Sequence, residues 1–260
     1  MPVDPEASAL ISRAAETYAS LLTYGDEGEE TTVFIRGKMP WNRHTSKKRF
    51  KTAFVGPSQF FFEYREVGFG PESEWQGGTI WTDSSGVHVW STIDIPSADL
   101  RTLDHALGCL AGVSSGTSVL TAKLLMPEIT GRSPLPDPLT SRVIGEGSTE
   151  GKTCWKVEGL RFGAQPAITW IDRRDFLVRR IEHGHEFDED TRRRQDDSIR
   201  QAIATMSAED PKRLLLEKGL AMREGQPANR FRTQSTTIIR PEIDRVIDPC
   251  TFSFTPPTSE

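Results

Sequence analysis

The sequence predicts an α+β fold, a large antiparallel sheet bent around central helices. Three observations predict it. The apolar period changes from three and four to two near Thr31 and keeps returning to two through the rest of the chain. The segments between consecutive strands before Thr92 are too short for a crossover helix, so those strands form a meander and not a βαβ series. Two apolar helical segments then interrupt the strands between Ser97 and Met126.

The elements follow in order. Asp4 and Pro5 resemble an N-cap with proline in the first turn, and Ala7, Leu10, Ile11, Ala14, Ala15, Tyr18 and Leu21 form one helical stripe, ended by Gly25-Asp26-Glu27-Gly28. Thr31–Ile35 is a short strand. Arg49–Val55 and Gln59–Arg65 flank the turn Gly56-Pro57-Ser58 as a hairpin, and Trp75–Thr82 and Val87–Thr92 flank Asp83-Ser84-Ser85-Gly86 as another. Ser97 caps a helix carrying Leu100, Leu103, Leu107 and Leu110, and a second helix through Leu120 and Leu124 stops at Pro127. Strands resume at Ser141–Ile144, Thr153–Leu160, Ala167–Asp172 and Phe176–Phe187, the last two joined by the turn Asp172-Arg173-Arg174-Asp175. Residues 189–224 form a charged helical insertion with apolar stripes at Ile199, Ala202, Ile203, Met206 and at Leu214, Leu215, Leu216, Leu220. Phe231–Arg240 and Thr251–Phe254 close the chain as strands. Because strands follow directly on the proline-rich stretch 131–138, residues 1–260 read as one domain carrying the insertion.

Composition bounds the function. The 260 residues hold 32 Lys+Arg against 37 Asp+Glu, a net charge of −5, which gives no basic face for nucleic acid. No apolar run reaches the roughly 18 residues of a membrane-spanning helix, and the start of the chain lacks the pattern of a signal peptide. Cys109, Cys154 and Cys250 lack CxxC spacing and cannot all pair with one another.

Several strands carry large apolar side chains on both faces. Phe60, Phe62 and Tyr64 point one way and Phe61 the other, while Trp81 and Trp90 oppose Ile80 and Val89. A bent sheet of this kind has a concave face too wide for its own side chains to fill, so an apolar hollow is expected between it and the helices of 98–126. Its lining would be Phe60, Phe62, Trp81, Trp90, Trp155 and Trp170 with Leu107 and Leu124 from the helices. The predicted function is a non-enzymatic carrier or sensor holding a lipid, an acyl chain or another apolar segment, with no cofactor and no metal.

The order helix, hairpins, central helices, hairpins resembles the LolA/LolB-like superfamily of periplasmic lipoprotein carriers. Residues 15–26 look like its opening helix and exit into strand one, and residues 50–63 look like its paired strands across a proline turn. Asp83-Ser84-Ser85-Gly86-Val87-His88-Val89-Trp90 resembles its "dG..vW" hairpin, and residues 170–182 its late hairpin. The chain departs from that pattern at Gly56, where the carriers place an arginine, and in the insertion at 189–224. The resemblance implies a half-open β-barrel, a lipid or acylated protein as partner, and a periplasmic or otherwise exported location, with a cytoplasmic one still open. It also implies a sensor alternative, in which the ligand is a protein surface. The insertion at 189–224 is a candidate lid or docking surface for such a protein partner.

One motif points to another class. Gly112-Val113-Ser114-Ser115-Gly116 matches GxSxG, so a serine hydrolase using Ser114, with Asp172 or Asp175 and His183 or His185, is the enzymatic alternative. The residues before Ser114 read as helix and no parallel βαβ series surrounds it, which favours a helix–helix turn. His183-Gly184-His185 offers two imidazoles on one strand face, but no spacing fixes a third zinc ligand. Arg192-Arg193-Arg194 lies between acidic residues that cancel its field, and reads as a solvated helix start.

Overall fold

In the computed structural model, residues 3–36, 43–71, 75–93, 102–128, 133–162, 165–187, 189–207, 211–223 and 231–256 are described. Helix α1 spans Pro5–Ala19, followed by strands β1 (Thr23–Arg36), β2 (Arg43–Val55), β3 (Gln59–Glu66), β4 (Gly77–Asp83) and β5 (Gly86–Ser91). Helices α2 (Leu103–Ala111) and α3 (Thr117–Leu125) come next, then β6 (Arg142–Thr149), β7 (Lys152–Arg161), β8 (Gln165–Asp172) and β9 (Val178–Phe187). Helices α4 (Glu189–Thr205) and α5 (Pro211–Arg223), strand β10 (Phe231–Ile243) and a 3₁₀ turn at Pro249–Phe252 complete the chain. The strands form an open ten-stranded antiparallel sheet in the order β5-β4-β3-β2-β1-β10-β9-β8-β7-β6. That is the α+β class the sequence predicts.

The chain makes two compact units, one of Met1–Thr32, Thr45–His183 and Ser235–Glu260, the other of Val33–His44 and Gly184–Gln234. In the larger unit, α1 begins where the sequence places it. The Asp4 carboxylate accepts hydrogen bonds from the amides of Glu6 and Ala7, and its second oxygen accepts one from Val143 of β6 at 2.9 Å. Ala7, Leu10, Ile11, Ala14 and Tyr18, five members of the predicted stripe, are buried. Pairing between β2 and β3 sets Phe50 opposite Tyr64, Thr52 opposite Phe62 and Phe54 opposite Phe60. Side chains alternate across a strand, so these residues share one face with Ile80 of β4, and with the leucines of α2 and α3 they make the main core. The other face carries a smaller cluster of Ala53, Phe61, Trp81 and Phe252, with Trp90, Ile247 and Phe254 packed on it. The predicted opposition of Phe61 to Phe60 and Phe62, and of Trp81 and Trp90 to Ile80 and Val89, is therefore present.

Four expectations differ. Residues 25–28 do not end the helix in a turn; they lie inside β1, because Ser20 closes α1 and the chain becomes extended at Thr23. Ser97 and Leu100 lie outside the described residues, and α2 is capped by Thr102, whose hydroxyl accepts from the His105 amide. Thr251–Phe254 is not a strand. Asp248 accepts from the Cys250 amide and, with Pro249 in the first turn, winds the segment into a 3₁₀ turn. Finally, the helix side of the sheet is filled: Phe62, Leu107, Leu110 and Ala122 are each 0% exposed. Short, leucine-rich helices reach the aromatic face and plug the space that the sequence predicts to be hollow.

The smaller unit contains the helical hairpin. Ile199, Ala202, Ile203 and Met206 of α4 and Leu216 and Leu220 of α5 are half-buried, whereas Leu214 is exposed. Arg192 pairs with Asp196 and Arg213 with Glu217, each at one-turn spacing on its own helix.

Candidate functional site

The structure separates the eight predicted lining residues into three places. Phe60, Phe62, Leu107 and Leu124 meet in the main core, and Trp155 packs against it from β7, stacked on Phe176 with ring centroids 5.7 Å apart. Trp81 and Trp90 belong to the opposite sheet face, where Phe254 lies 5.1 Å and 5.7 Å from their ring centroids. Trp170 is in neither cluster. Its ring lies beneath the Lys156 ammonium and the Arg180 guanidinium, 4.5 Å and 5.0 Å from their charged atoms.

One open space lies on the Trp81 side. The residues 247–254 run as a strap over the surface of β2 and β3, anchored by Phe252, and between strap and sheet lies a groove of about 530 Å³. Ala53 and Phe61 from the sheet and Ile247 and Phe254 from the strap give it apolar walls. Its rim is charged and partly paired: Lys51 contacts Glu63 at 2.7 Å, Arg245 contacts Glu242 at 2.5 Å, and Arg240 reaches Glu150 outside the groove at 3.1 Å. A second cavity of about 400 Å³ shares Glu27, Lys51, Glu63 and Arg240 with the first and adds Arg49 and Arg65. A third, of about 480 Å³, is lined by Ile11 and Ala15 of α1, Leu135 and Pro136, and Leu160 and Phe162.

Sequence reasoning does not foresee the polar chemistry inside the main core. Tyr24, Asp26, Gly28, Glu30 and Thr32 alternate along β1 and share its helix-side face. The Asp26 carboxyl is buried, and its Oδ2 accepts from the Tyr24 hydroxyl at 2.8 Å and from Thr121 of α3 at 3.0 Å. Burial pushes its pKa up to about 6. Glu30, also buried, accepts from Thr32, whose hydroxyl shares a hydrogen bond with Ser235, and burial raises its pKa too. Lys48 is 8% exposed and donates to the Ser115 hydroxyl at 2.8 Å. The readable signal was the strict alternation of Tyr24, Asp26, Glu30 and Thr32, masked by the turn-like composition of Gly25-Asp26-Glu27-Gly28.

The GxSxG motif is the turn between α2 and α3. Ser115 takes φ 57° and Gly116 φ 82°, the left-handed conformations that reverse the chain there. Ser114 is 0% exposed and its Oγ accepts from the Ser118 amide at 3.2 Å, so it satisfies an amide in the first turn of α3 and is sealed from solvent. Its proposed partners are engaged elsewhere: Asp172 and Asp175 hold Arg179, and His183 Nδ1 shares a hydrogen bond with Gln165. No His, Cys, Asp and Glu cluster suited to a metal ion occurs among the described residues. Cys109, Cys154 and Cys250 are free, and no helix among the described residues is long and apolar enough to cross a membrane.

No protein-family model and no curated protein matches the chain. Solved structures similar to it include LprF from Mycobacterium bovis, with a TM-score of 0.37 at 8% identity over 92% of this chain and 94% of that one. A LolA superfamily protein from Nitrosomonas europaea, NE2245, is similar with a TM-score of 0.26 at 10% identity, over 94% and 96%. The MucA/MucB complex of Pseudomonas aeruginosa gives a TM-score of 0.32 at 13% identity, and there the likeness covers 72% of this chain but only 52% of the matched one.

Proposed function

We propose that the protein is a non-enzymatic carrier for a lipid, acyl chain or acylated polypeptide, and that the guest's hydrocarbon seats in the groove beneath the strap of residues 247–254. The observation that carries this reading is a groove of about 530 Å³ with Phe61 and Ala53 on one wall and Phe254 and Ile247 on the other. Its size is that of small-molecule sites, roughly 300–1,000 Å³. Trp81 and Trp90 support it from behind by holding Phe254. Because Lys51, Arg245 and Arg240 are already paired, binding draws on hydrocarbon burial, about 0.8 kcal/mol per methylene, and needs no fixed contact with a rim cation. Phe60, Phe62, Leu107, Leu124 and Trp155 are a second, closed apolar surface, open to a guest only when α2 and α3 lift.

The test is a titration of delipidated full-length protein with a fluorescent long-chain fatty acid. Saturable one-to-one binding, weakened at least tenfold in Phe254→Asp with the far-ultraviolet circular dichroism unchanged, is the expected result. Absence of saturable binding, or equal binding by the variant, overturns the reading.

A further inference from the structure

Helix α3 and the turn before it rest on two carboxyl groups of a single strand. Asp26 and Glu30 are four residues apart on β1 and project from the same face. The first accepts a hydrogen bond from Thr121 of α3 at 3.0 Å, and the second lies beside Ser115 of the α2–α3 turn, the residue that Lys48 contacts at 2.8 Å. Asp26 is 4% exposed and Glu30 0%. On each, one oxygen, Asp26 Oδ1 and Glu30 Oε2, accepts no hydrogen bond among the described residues. A buried ionised carboxyl in that condition costs several kcal/mol, whereas its neutral form is tolerated. Thr52 stands beside Asp26 without closing a hydrogen bond of normal geometry, and its hydroxyl is likewise unpartnered. A proton on Asp26 Oδ1 can be donated to the Thr52 hydroxyl oxygen, which otherwise has no partner among the described residues.

We propose that the α2–α3 hairpin is a proton-controlled latch, closed over the Phe60–Phe62 face while Asp26 is neutral and released when Asp26 ionises. Asp26 is the switch because of what surrounds it. It faces Tyr18 from α1, Tyr24 on its own strand, Thr52 from β2 and Thr121 from α3, none of them a cation. Arg179 of β9 is felt by Tyr18, one layer further out. Glu30, by contrast, has the Lys48 ammonium facing it from β2, together with Ser115 and Ser235, and this offsets its charge. Lifting α3 hydrates Asp26 without touching the rest of the sheet.

The direction follows from proton linkage. The closed form holds its proton up to a pKa of about 6, whereas a hydrated aspartate ionises near 3.8. Opening is therefore rarest at the acid end and grows as pH rises between those two values, about tenfold per pH unit, to about a hundredfold in all, and then levels off. Asp26 and Thr52 also border the strap groove, but the latch is read at α3 and the groove by acyl binding at Phe254, so the two proposals are tested by different measurements.

Hydrogen exchange of the full chain, read by mass spectrometry between pH 4 and pH 7.5 and corrected for the intrinsic pH dependence of exchange, tests it. Peptides covering 117–125 should open about a hundredfold more at pH 7 than at pH 4, while peptides of β7 and β8, remote from α3, serve as a reference that does not follow. In Asp26→Asn the α3 peptides should stay closed at every pH. Should that variant fail to fold, Tyr24→Phe removes one donor to the carboxylate and must move the wild-type midpoint upward. Protection of α3 independent of pH, or an Asp26→Asn profile that tracks wild type, overturns the latch, as does an unmoved midpoint in Tyr24→Phe.

Discussion

Arg179 of β9 donates through Nε to Asp172 at the end of β8, at 3.1 Å, with 7% and 2% of the two side chains exposed. The same guanidinium contacts Asp175 in the turn and the Pro241 carbonyl of β10 at 3.4 Å, so one buried cation ties a hairpin turn to the next strand. Removing it strands the Asp172 carboxylate in a buried position. Arg179→Met should lower stability by about 3–5 kcal/mol, read as a fall in the urea midpoint at unchanged slope. A loss below about 1 kcal/mol would mean that the pair is solvated in solution.

Gly28 supplies a second stability test. A Cβ built there meets the Phe50 ring at 2.2 Å and the Ile238 carbonyl oxygen at 2.5 Å, one soft obstacle and one fixed one. The glycine lets Phe50 lie flat across β1 while Asp26 and Glu30 pass on either side. Gly28→Ala should cost about 1–3 kcal/mol by thermal or urea unfolding, since the backbone oxygen cannot swing aside.

The packed interior gives a third. Leu107 of α2 is 0% exposed in the main core. Leu107→Ala should cost about 2–5 kcal/mol, the loss typical of a leucine deleted from a close-packed core. If this region instead held a solvent-filled hollow, the same change would cost well under that range, and the unfolding midpoint separates the two.

Much of this architecture was legible because local patterns and tertiary contacts agree. The α1 stripe, the two early hairpins and the alternation of Phe60, Phe61 and Phe62 all follow from periods of 3.6 and 2 read against glycine and proline punctuation. What stayed hidden depends on distance through space. Whether Leu107 and Leu110 fill a concave face or roof a void is decided by how closely α2 approaches β4, and no spacing in the chain encodes that. Gly78 shows the closeness, because a Cβ there would lie 2.6 Å from Leu110 Cδ2. Trp81 and Trp90 were placed on the correct face relative to their neighbours, yet the strap that makes this face a groove comes from residues more than 150 positions later. Asp26 reads as part of a turn because Gly25, Glu27 and Gly28 surround it, and only its partners Tyr24 and Thr121 reveal it as core.

Ser114 separates an enzymatic reading from a structural one. Its hydroxyl accepts from the Ser118 amide at the start of α3 and it is sealed from solvent. A fluorophosphonate reagent should leave wild type and Ser114→Ala equally unlabelled, and the substitution should cost about 1 kcal/mol, the worth of one capping hydrogen bond. Labelling of wild type that disappears in the variant would establish a nucleophile at this turn.

The strap can be tested apart from the fold that bears it. Phe252 is 2% exposed and packs on Phe61 and Trp81, whereas the remainder of the segment touches the sheet mainly through Ile247 and Phe254. Its own hydrogen bonds are local, from the Thr251 amide to Asp248 and from the Ser253 amide to Cys250. Among the described residues no backbone hydrogen bond pairs the strap with a strand, so its attachment is chiefly the burial of three apolar side chains. Truncating the central one in Phe252→Ala should therefore free the strap before it unfolds the sheet, because local opening draws on fewer contacts than global unfolding. The amides of Thr251 and Ser253 should lose their exchange protection. Trp81 and Trp90 should emit at longer wavelength as Phe254 leaves them, and the urea midpoint of the whole chain should move by less than the ~3–5 kcal/mol expected for a phenylalanine deleted from a cooperative core. A full core penalty with tryptophan emission unchanged would show that the strap is an integral part of the fold and not a separable wall of the groove.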